Sequence, residues 1–359
     1  KNESSGLCVL SSSNFYRLSR DLETAKHQLR STIAPSMARF LDNVVEMELR
    51  DKRYPIEGQR VSLEALRRIG AGITNIDGWL IRNGIGYDTQ EGIDAITALS
   101  DAFNLGLYET SIALGAEKGS FGAFNEKLYI KAPFVKQMIE RHGLRFRTMR
   151  NVCCSSIAPT GTLSSMFNTI YTQLISYGIE PIMGLYYWKR ERTSGTYAWS
   201  FNVPRIVREI LAEKGIDLGM TSDSIMENEQ GNLGESIAKV IDQHFPRDRF
   251  KPAHEINPFR KADLMGALTR TSVDSAISVT YNLPEDVKHE TIRDLYIHAW
   301  KQKVKSIAVY RDKSRLGIVE FVPPRIAEKR FAEATTTTAP APVLTRPEVL
   351  NCDVHHITV

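Results

Sequence analysis

Cysteine is scarce in this sequence: Cys8, Cys153, Cys154 and Cys352 are the only four in 359 residues. No two of them stand in a C-x-x-C spacing, so neither a disulfide framework nor a zinc site built on paired thiols is expected. The eight histidines do not make up the shortfall. His355-His356 is the nearest approach to a cluster, and adjacent histidines of this kind more often face solvent, so no metal site is assigned. Adjacent Cys153 and Cys154 would alternate faces on a strand and stay unbridged; the thiols are expected to be reduced. Long apolar runs are also missing. None approaches the roughly 18 residues of a membrane span, and the N-terminus has no charged start followed by an apolar core, which makes a cytoplasmic location the expectation. Charge of one sign is lacking too: 46 Lys and Arg against 42 Asp and Glu leave +4, too small and dispersed for a nucleic-acid surface.

What is present is a hydrophobic fraction of 42%, enough to fill the core of one large or two ordinary domains. Leu7-Cys8-Val9-Leu10 reads as a short strand followed by the loop Ser11-Ser12-Ser13-Asn14, as though the chain began inside a fold. From about Asp21 to Glu48 the pattern is helical, and Met37, Phe40, Leu41, Val44, Val45 and Met47 are expected to pack a stripe against a sheet. Ile69-Gly70-Ala71-Gly72-Ile73-Thr74 reads as a close-packed turn or strand end, its glycines permitting backbone approach rather than phosphate binding. Helices are expected at 89–118, 133–142, 203–214, 233–244, 262–271 and 284–302, the last with Glu285 and Asp286 in its first turn. Strands are expected at 152–157, 276–281 and 306–310, and the Lys189-Arg190-Glu191-Arg192 cluster as a solvated turn. Strands alternating with long helices predict a parallel α/β layout with its site at the strand C-termini.

The chemistry centres on Ile157-Ala158-Pro159-Thr160-Gly161-Thr162, followed by Leu163 and Ser164. A strand, a proline that ends it, a glycine without a side chain and flanking hydroxyls can aim backbone N–H groups and hydroxyls at a phosphate. The same residues also suit a plain strand-to-helix turn with Thr160 or Thr162 as N-cap, and the two readings are compatible. Taken singly, Cys8 would be a buried small hydrophobe, Glu180 a partner for backbone or an arginine, and Tyr310 a core residue with a satisfied hydroxyl; Arg311 and Asp312 could pair at a strand end.

Taken together, these phrases resemble the large catalytic subunit of ribonucleotide reductase. The match rests on Leu7-Cys8-Val9-Leu10-Ser11-Ser12-Ser13-Asn14-Phe15, Glu117-Lys118-Gly119-Ser120-Phe121-Gly122-Ala123-Phe124, His142-Gly143-Leu144-Arg145, APTGT at 158–162, and Gly178-Ile179-Glu180-Pro181. It continues through Ser275-Ala276-Ile277-Ser278, Asn282-Leu283-Pro284 and Val309-Tyr310-Arg311-Asp312-Lys313-Ser314-Arg315. The resemblance implies an α/β fold, the second half of the family's ten-stranded α/β barrel, over 1–322. A low-complexity linker follows at 323–345, and 346–359 would be the start of a small C-terminal module that is cut off. It implies that Cys8 is one of the two cysteines that become a disulfide as the ribose is reduced, and that Pro159, Thr160, Gly161, Thr162, Leu163 and Ser164 hold the phosphates of a ribonucleoside di- or triphosphate. Glu180 and Tyr310 would support the site, and Cys352 would be structural or incidental.

The family's finger-loop pattern N-x-C-x-E, which carries the radical cysteine, is not in these residues; Asn2-Glu3 has no cysteine between its members. The resemblance therefore implies a partner, the upstream half of the reductase, and a chain inactive by itself. A thioredoxin-type or other dithiol would be the reductant. A single tyrosine at Val309-Tyr310, where separate-radical-subunit reductases carry two, is similar to the adenosylcobalamin-dependent class and implies that cofactor. Arg346 to Cys352 resembles the same class. About five extra residues before Gly178, among them Tyr171 and Gln173, suggest a longer surface loop. The alternatives are a fragment of the separate-subunit class, or a catalytically silent remnant that binds nucleotide or stabilises a partner.

Overall fold

The computed structural model describes residues 6–51, 54, 56–161, 163, 176–193, 196–221, 224–226, 232–246, 250–312, 314 and 319–320. Their strands are β1 (Val9–Asn14), β2 (Ile69–Thr74), β3 (Tyr187–Thr193), β4 (Thr196–Asn202), β5 (Ser224–Met226), β6 (Thr280–Leu283), β7 (Ala308–Arg311) and β8 (Val319–Glu320). β1 pairs in parallel with β2, from Val9 opposite Ile69 to Asn14 opposite Thr74. Parallel bridges then join Ala71 to Ser155 and Ile157 to Ile277, and β6 pairs in parallel with β7. Five chain segments thus follow one another in a parallel order, with helices between them, as the α/β expectation requires.

The helices form where local signals agree. Pro133 at the first turn, two basic residues in the last and Gly143 at φ 67° delimit the Pro133–His142 helix as its sequence predicts. The Gln90–Lys118 helix starts at Thr89, whose Oγ1 accepts from Gly92 N at 3.0 Å, and it carries Glu91 and Lys118 at the dipole ends that suit them. It is buried along much of its length, against the Ala34–Asp51 and Pro258–Thr271 helices.

Several expectations need correction. Ile69–Thr74 is a fully buried strand between two neighbours, not a turn or strand end. Its glycines do serve close approach: a Cβ on Gly72 would lie 2.3 Å from the Ser156 carbonyl. The 189–192 cluster lies on β3, in an antiparallel sheet of order β5-β4-β3-β8, not in a turn; its run of charges masked a strand. The last helix begins at His289, so Glu285 and Asp286 precede it, and Glu290 occupies its first turn. On the Ala34–Asp51 helix the buried stripe is Ala34, Ala38, Leu41, Asp42 and Val45, while Phe40 and Met47 are 61% and 63% exposed. Residues 40 and 47 are two turns apart and share the opposite face. Asp42 enters the stripe because Arg67 and Arg150 pair with it at 2.8 and 3.1 Å.

Two apolar cores result. The larger lies between the parallel segments and their helices, and the smaller, around Trp188, Phe201, Val207 and Ile241, backs the antiparallel sheet. Linker 323–345, tail 346–359 and Cys352 lie outside the described residues. Among those described, no helix is long and apolar enough to cross a membrane.

Candidate active site

The parallel segments have one packed face and one bare face. Ile69, Ala71, Ile73, Ile157, Ile277, Val279, Tyr281 and Leu283 are buried, whereas Leu10, Ala276, Ser278 and Ala308 are exposed and Ser156, Asn282 and Tyr310 half-buried. Around Leu10 and Ser156 and along 276–283, period-two alternation therefore sends even-numbered residues to the bare side, while β2 is buried throughout. Cys8 belongs there. A Cβ placed on Gly70 would meet Cys8 Sγ at 3.1 Å, Ser156 Cβ at 3.1 Å and Leu10 Cδ2 at 2.5 Å, so Gly70 leaves room for the neighbouring side chains to lie over β2. Tyr310 stands opposite Asn282 in register, at the other end of the same face.

The Cys8 thiol is half-buried, and burial pushes its pKa up, with the Arg68 guanidinium opposing and Asp274 adding to the rise. It is consequently a thiol at neutral pH, able to give up hydrogen. Cys153 is pushed up to about 12, chiefly by burial, and fully buried Cys154 also rises. Cys8, Cys153 and Cys154 are all free, as expected for reduced thiols.

Within the loop after Ile157, Thr160 is buried between exposed Pro159, Gly161 and Leu163; Thr162 and Ser164 lie outside the described residues. Thr160 has φ 57°, a left-handed conformation that a β-branched residue rarely adopts. Its Oγ1 accepts from Gly178 N at 2.8 Å and lies 3.0 Å from Thr74 Oγ1. That bond crosses to a different segment. The contact joins the loop directly to the Gly178-Ile179-Glu180-Pro181 phrase.

Glu180 is held by a backbone and a lysine. Its Oε1 accepts from Thr280 N at 2.6 Å and its Oε2 from Lys261 Nζ at 2.5 Å; the lysine also donates to Thr280 O at 2.8 Å. Burial pushes Lys261 down while Glu180 opposes it. On either side, Tyr87 Oη donates to Ile179 O at 2.6 Å and Asp77 accepts from Ile182 N at 2.7 Å.

The family model of the ribonucleotide reductase barrel domain matches residues 1–310. This chain belongs to that family. The vitamin B12-dependent ribonucleoside-diphosphate reductase of Mycobacterium tuberculosis H37Rv is 28% identical over 329 residues, which cover 89% of this chain and 40% of the relative. The enzyme of the same name from Thermoplasma acidophilum is 30% identical over 295 residues, covering 80% and 33%. This chain thus spans about a third to two-fifths of the length of these curated relatives. Among solved structures, the Actinobacillus ureae class Id ribonucleotide reductase alpha subunit superposes with a TM-score of 0.60 at 18% identity, covering 85% of this chain and 50% of that one, a likeness of fold.

For this reductase-family chain, sequence reasoning singled out Cys8, the loop and Glu180 but missed the groups that hold them. Thr74, Asp77, Tyr87, Lys261 and Asp274 all act on partners far along the chain. Asp274 accepts from Cys154 N, Ser155 N, Tyr108 Oη and Ser275 Oγ, fixing the segment that leads to the loop. A lysine inside an otherwise apolar helical face was the one available signal, at Lys261.

Proposed function

We propose that this chain is the C-terminal part of a ribonucleotide reductase catalytic subunit, supplying the second half of its ten-stranded barrel, one redox cysteine and the phosphate-binding loop. The observation that carries this reading is the position of Cys8, on the barer face of the parallel segments of a reductase-family barrel chain, over Gly70, whose missing side chain makes room for the thiol. The substrate is a ribonucleoside di- or triphosphate, its phosphates held by residues 159–164. In this reading 323–345 links the barrel part to the module that begins at 346, and the enzyme works in the cytoplasm.

Reduction of the ribose needs two electrons. A thiyl radical on the finger-loop cysteine of the upstream part removes the 3′ hydrogen and later returns it. The 2′ hydroxyl leaves as water as Cys8 and a partner cysteine of the upstream part lose two hydrogens and join as a disulfide. A dithiol of thioredoxin type then restores both thiols by exchange. Cys8 suits this work because its raised pKa keeps it protonated, with hydrogen to deliver. Anchored phosphates hold the sugar in place, since small misplacements are costly in rate.

Adenosylcobalamin is the proposed radical source, from the B12-dependence named for the relatives and the single tyrosine at Val309-Tyr310. Among the described residues no three His, Cys, Asp or Glu side chains gather, and a cobalamin, whose corrin ring itself holds the cobalt, asks for no such set; this chain's own part would be to position substrate and supply electrons.

The test is the enzyme assembled from this chain and its upstream part, with Cys8→Ser. Multiple-turnover reduction is expected to vanish; full turnover in the variant would remove Cys8 from the chemistry.

A further inference from the structure

Thr74 ends β2 and is fully buried. Its Oγ1 accepts from Gly178 N at 3.2 Å, lies 3.0 Å from Thr160 Oγ1 and donates to Ser176 O at 3.4 Å. The next residue, Asn75, adds a second hold: its Oδ1 accepts from Ser176 N at 3.3 Å. One dipeptide at the end of one strand thus grips both the loop after Ile157 and the segment 176–178.

Those two pieces do not hold their shapes unaided. Thr160 and Gly178 have φ 57° and 56°, in the left-handed region, and only glycine fits at 178, where a Cβ would stand 2.6 Å from Ala158 O. Gly178 N is shared between the hydroxyls of Thr160 and Thr74. Thr160 is the buried point of a loop whose neighbours Pro159, Gly161 and Leu163 are exposed, so the orientation of the exposed part is set through Thr160.

We propose that Thr74 is a positioning residue for the substrate's phosphates: its hydroxyl holds Thr160 and Gly178 together and so fixes the loop that receives them. The inference rests on the reading of 159–164 as the phosphate loop. Thr74 touches no substrate, and it carries no charge. Its removal should therefore weaken nucleotide binding more than it slows chemistry on nucleotide already bound.

The experiment compares Thr74→Val, which keeps the shape and deletes the hydroxyl, with Thr74→Ser, which keeps the hydroxyl, in the assembled reductase. For Thr74→Val the KM for ribonucleotide should rise about five- to tenfold, the worth of one net hydrogen bond, with kcat little changed. Thr74→Ser should restore the parent KM. In the same assemblies, hydrogen exchange at the Gly178 amide should accelerate in Thr74→Val and return to the parent rate in Thr74→Ser. An unchanged KM, a fall in kcat alone, or an unaltered Gly178 exchange rate overturns the proposal. If the parent assembly reduces no ribonucleotide, the functional reading fails separately, and with it the phosphate role; the Gly178 rate then still decides whether Thr74 holds the loop. Should Thr74→Val fail to fold, Thr74→Cys, a weak donor and acceptor of similar size, carries the same expectations.

Discussion

The segment from Cys153 to Thr160 is fastened at both ends, and by opposite means. At its start Asp274 takes Cys154 N at 2.6 Å and Tyr108 Oη at 2.9 Å on one oxygen, and Ser155 N at 3.1 Å and Ser275 Oγ at 3.0 Å on the other. At its finish two neutral hydroxyls share one amide, with Thr160 in a conformation its own backbone disfavours. A buried carboxyl with four donors is hard to relax, because losing it strands every donor at once. Hydroxyls can turn, donate or accept, and so give ground in small steps. The chain places its rigid fastening away from the loop and its adjustable one beside it.

The strongest way to break this contrast is Asp274→Ala. Four donors lose their acceptor together, and a stability loss of about 3–5 kcal/mol is expected, read as a lower urea midpoint at unchanged slope. A loss under about 1 kcal/mol would mean that the two ends are held alike. Lys261→Met comes next. It leaves the Glu180 carboxylate, 17% exposed, beside a lysine position only 2% exposed, without its cation, and should cost about 3 kcal/mol. Adding Glu180→Gln should recover much of that, since the amide oxygen can still accept from Thr280 N. A double variant no better than the single would show that the pair acts through packing rather than charge.

The partners of Asp274 and Lys261 could not be found by reading along the chain, and the reason is distance. The Asp274 bond to Cys154 spans 120 residues and that from Lys261 to Glu180 spans 81, whereas sequence patterns report on neighbours within a few turns. What was legible was local. The Pro133–His142 helix announced itself through its proline and closing glycine, and the Gln90–Lys118 helix through its Thr89 cap. Gly70 and Gly72 were legible as points of close approach, but not as part of a central strand, because burial on both sides erases the alternation that marks a half-exposed one. The loop at 158–162 could be picked out by residue type. That Thr160 would turn its hydroxyl inward to Gly178 could not, since this depends on Thr74, 86 residues away.

The smallest expected effect concerns a carboxyl that sharpens the contrast, because it holds the segment after the loop and its charge changes near neutral pH. Asp77 accepts from Ile182 N at 2.7 Å, and its pKa is pushed up to about 7 from an ordinary 3.8. Burial is the main cause; the Ile182 amide and Lys261 oppose it, and Asp88 adds to it. The folded state thus binds this proton more tightly than the unfolded chain does. The associated stability is fully present below pH 3.8 and is lost progressively as pH rises through about 7. Asp77→Asn keeps an acceptor for Ile182 N and removes the titration. Near pH 5 the variant should match the parent to within about 1 kcal/mol, and between pH 5 and 8 its urea midpoint should fall less steeply. Parallel curves for parent and variant would assign the pH dependence elsewhere. A flatter curve would put Asp77 with the hydroxyls of Thr74 and Thr160 on the adjustable side of the loop, as an acceptor whose charge follows pH.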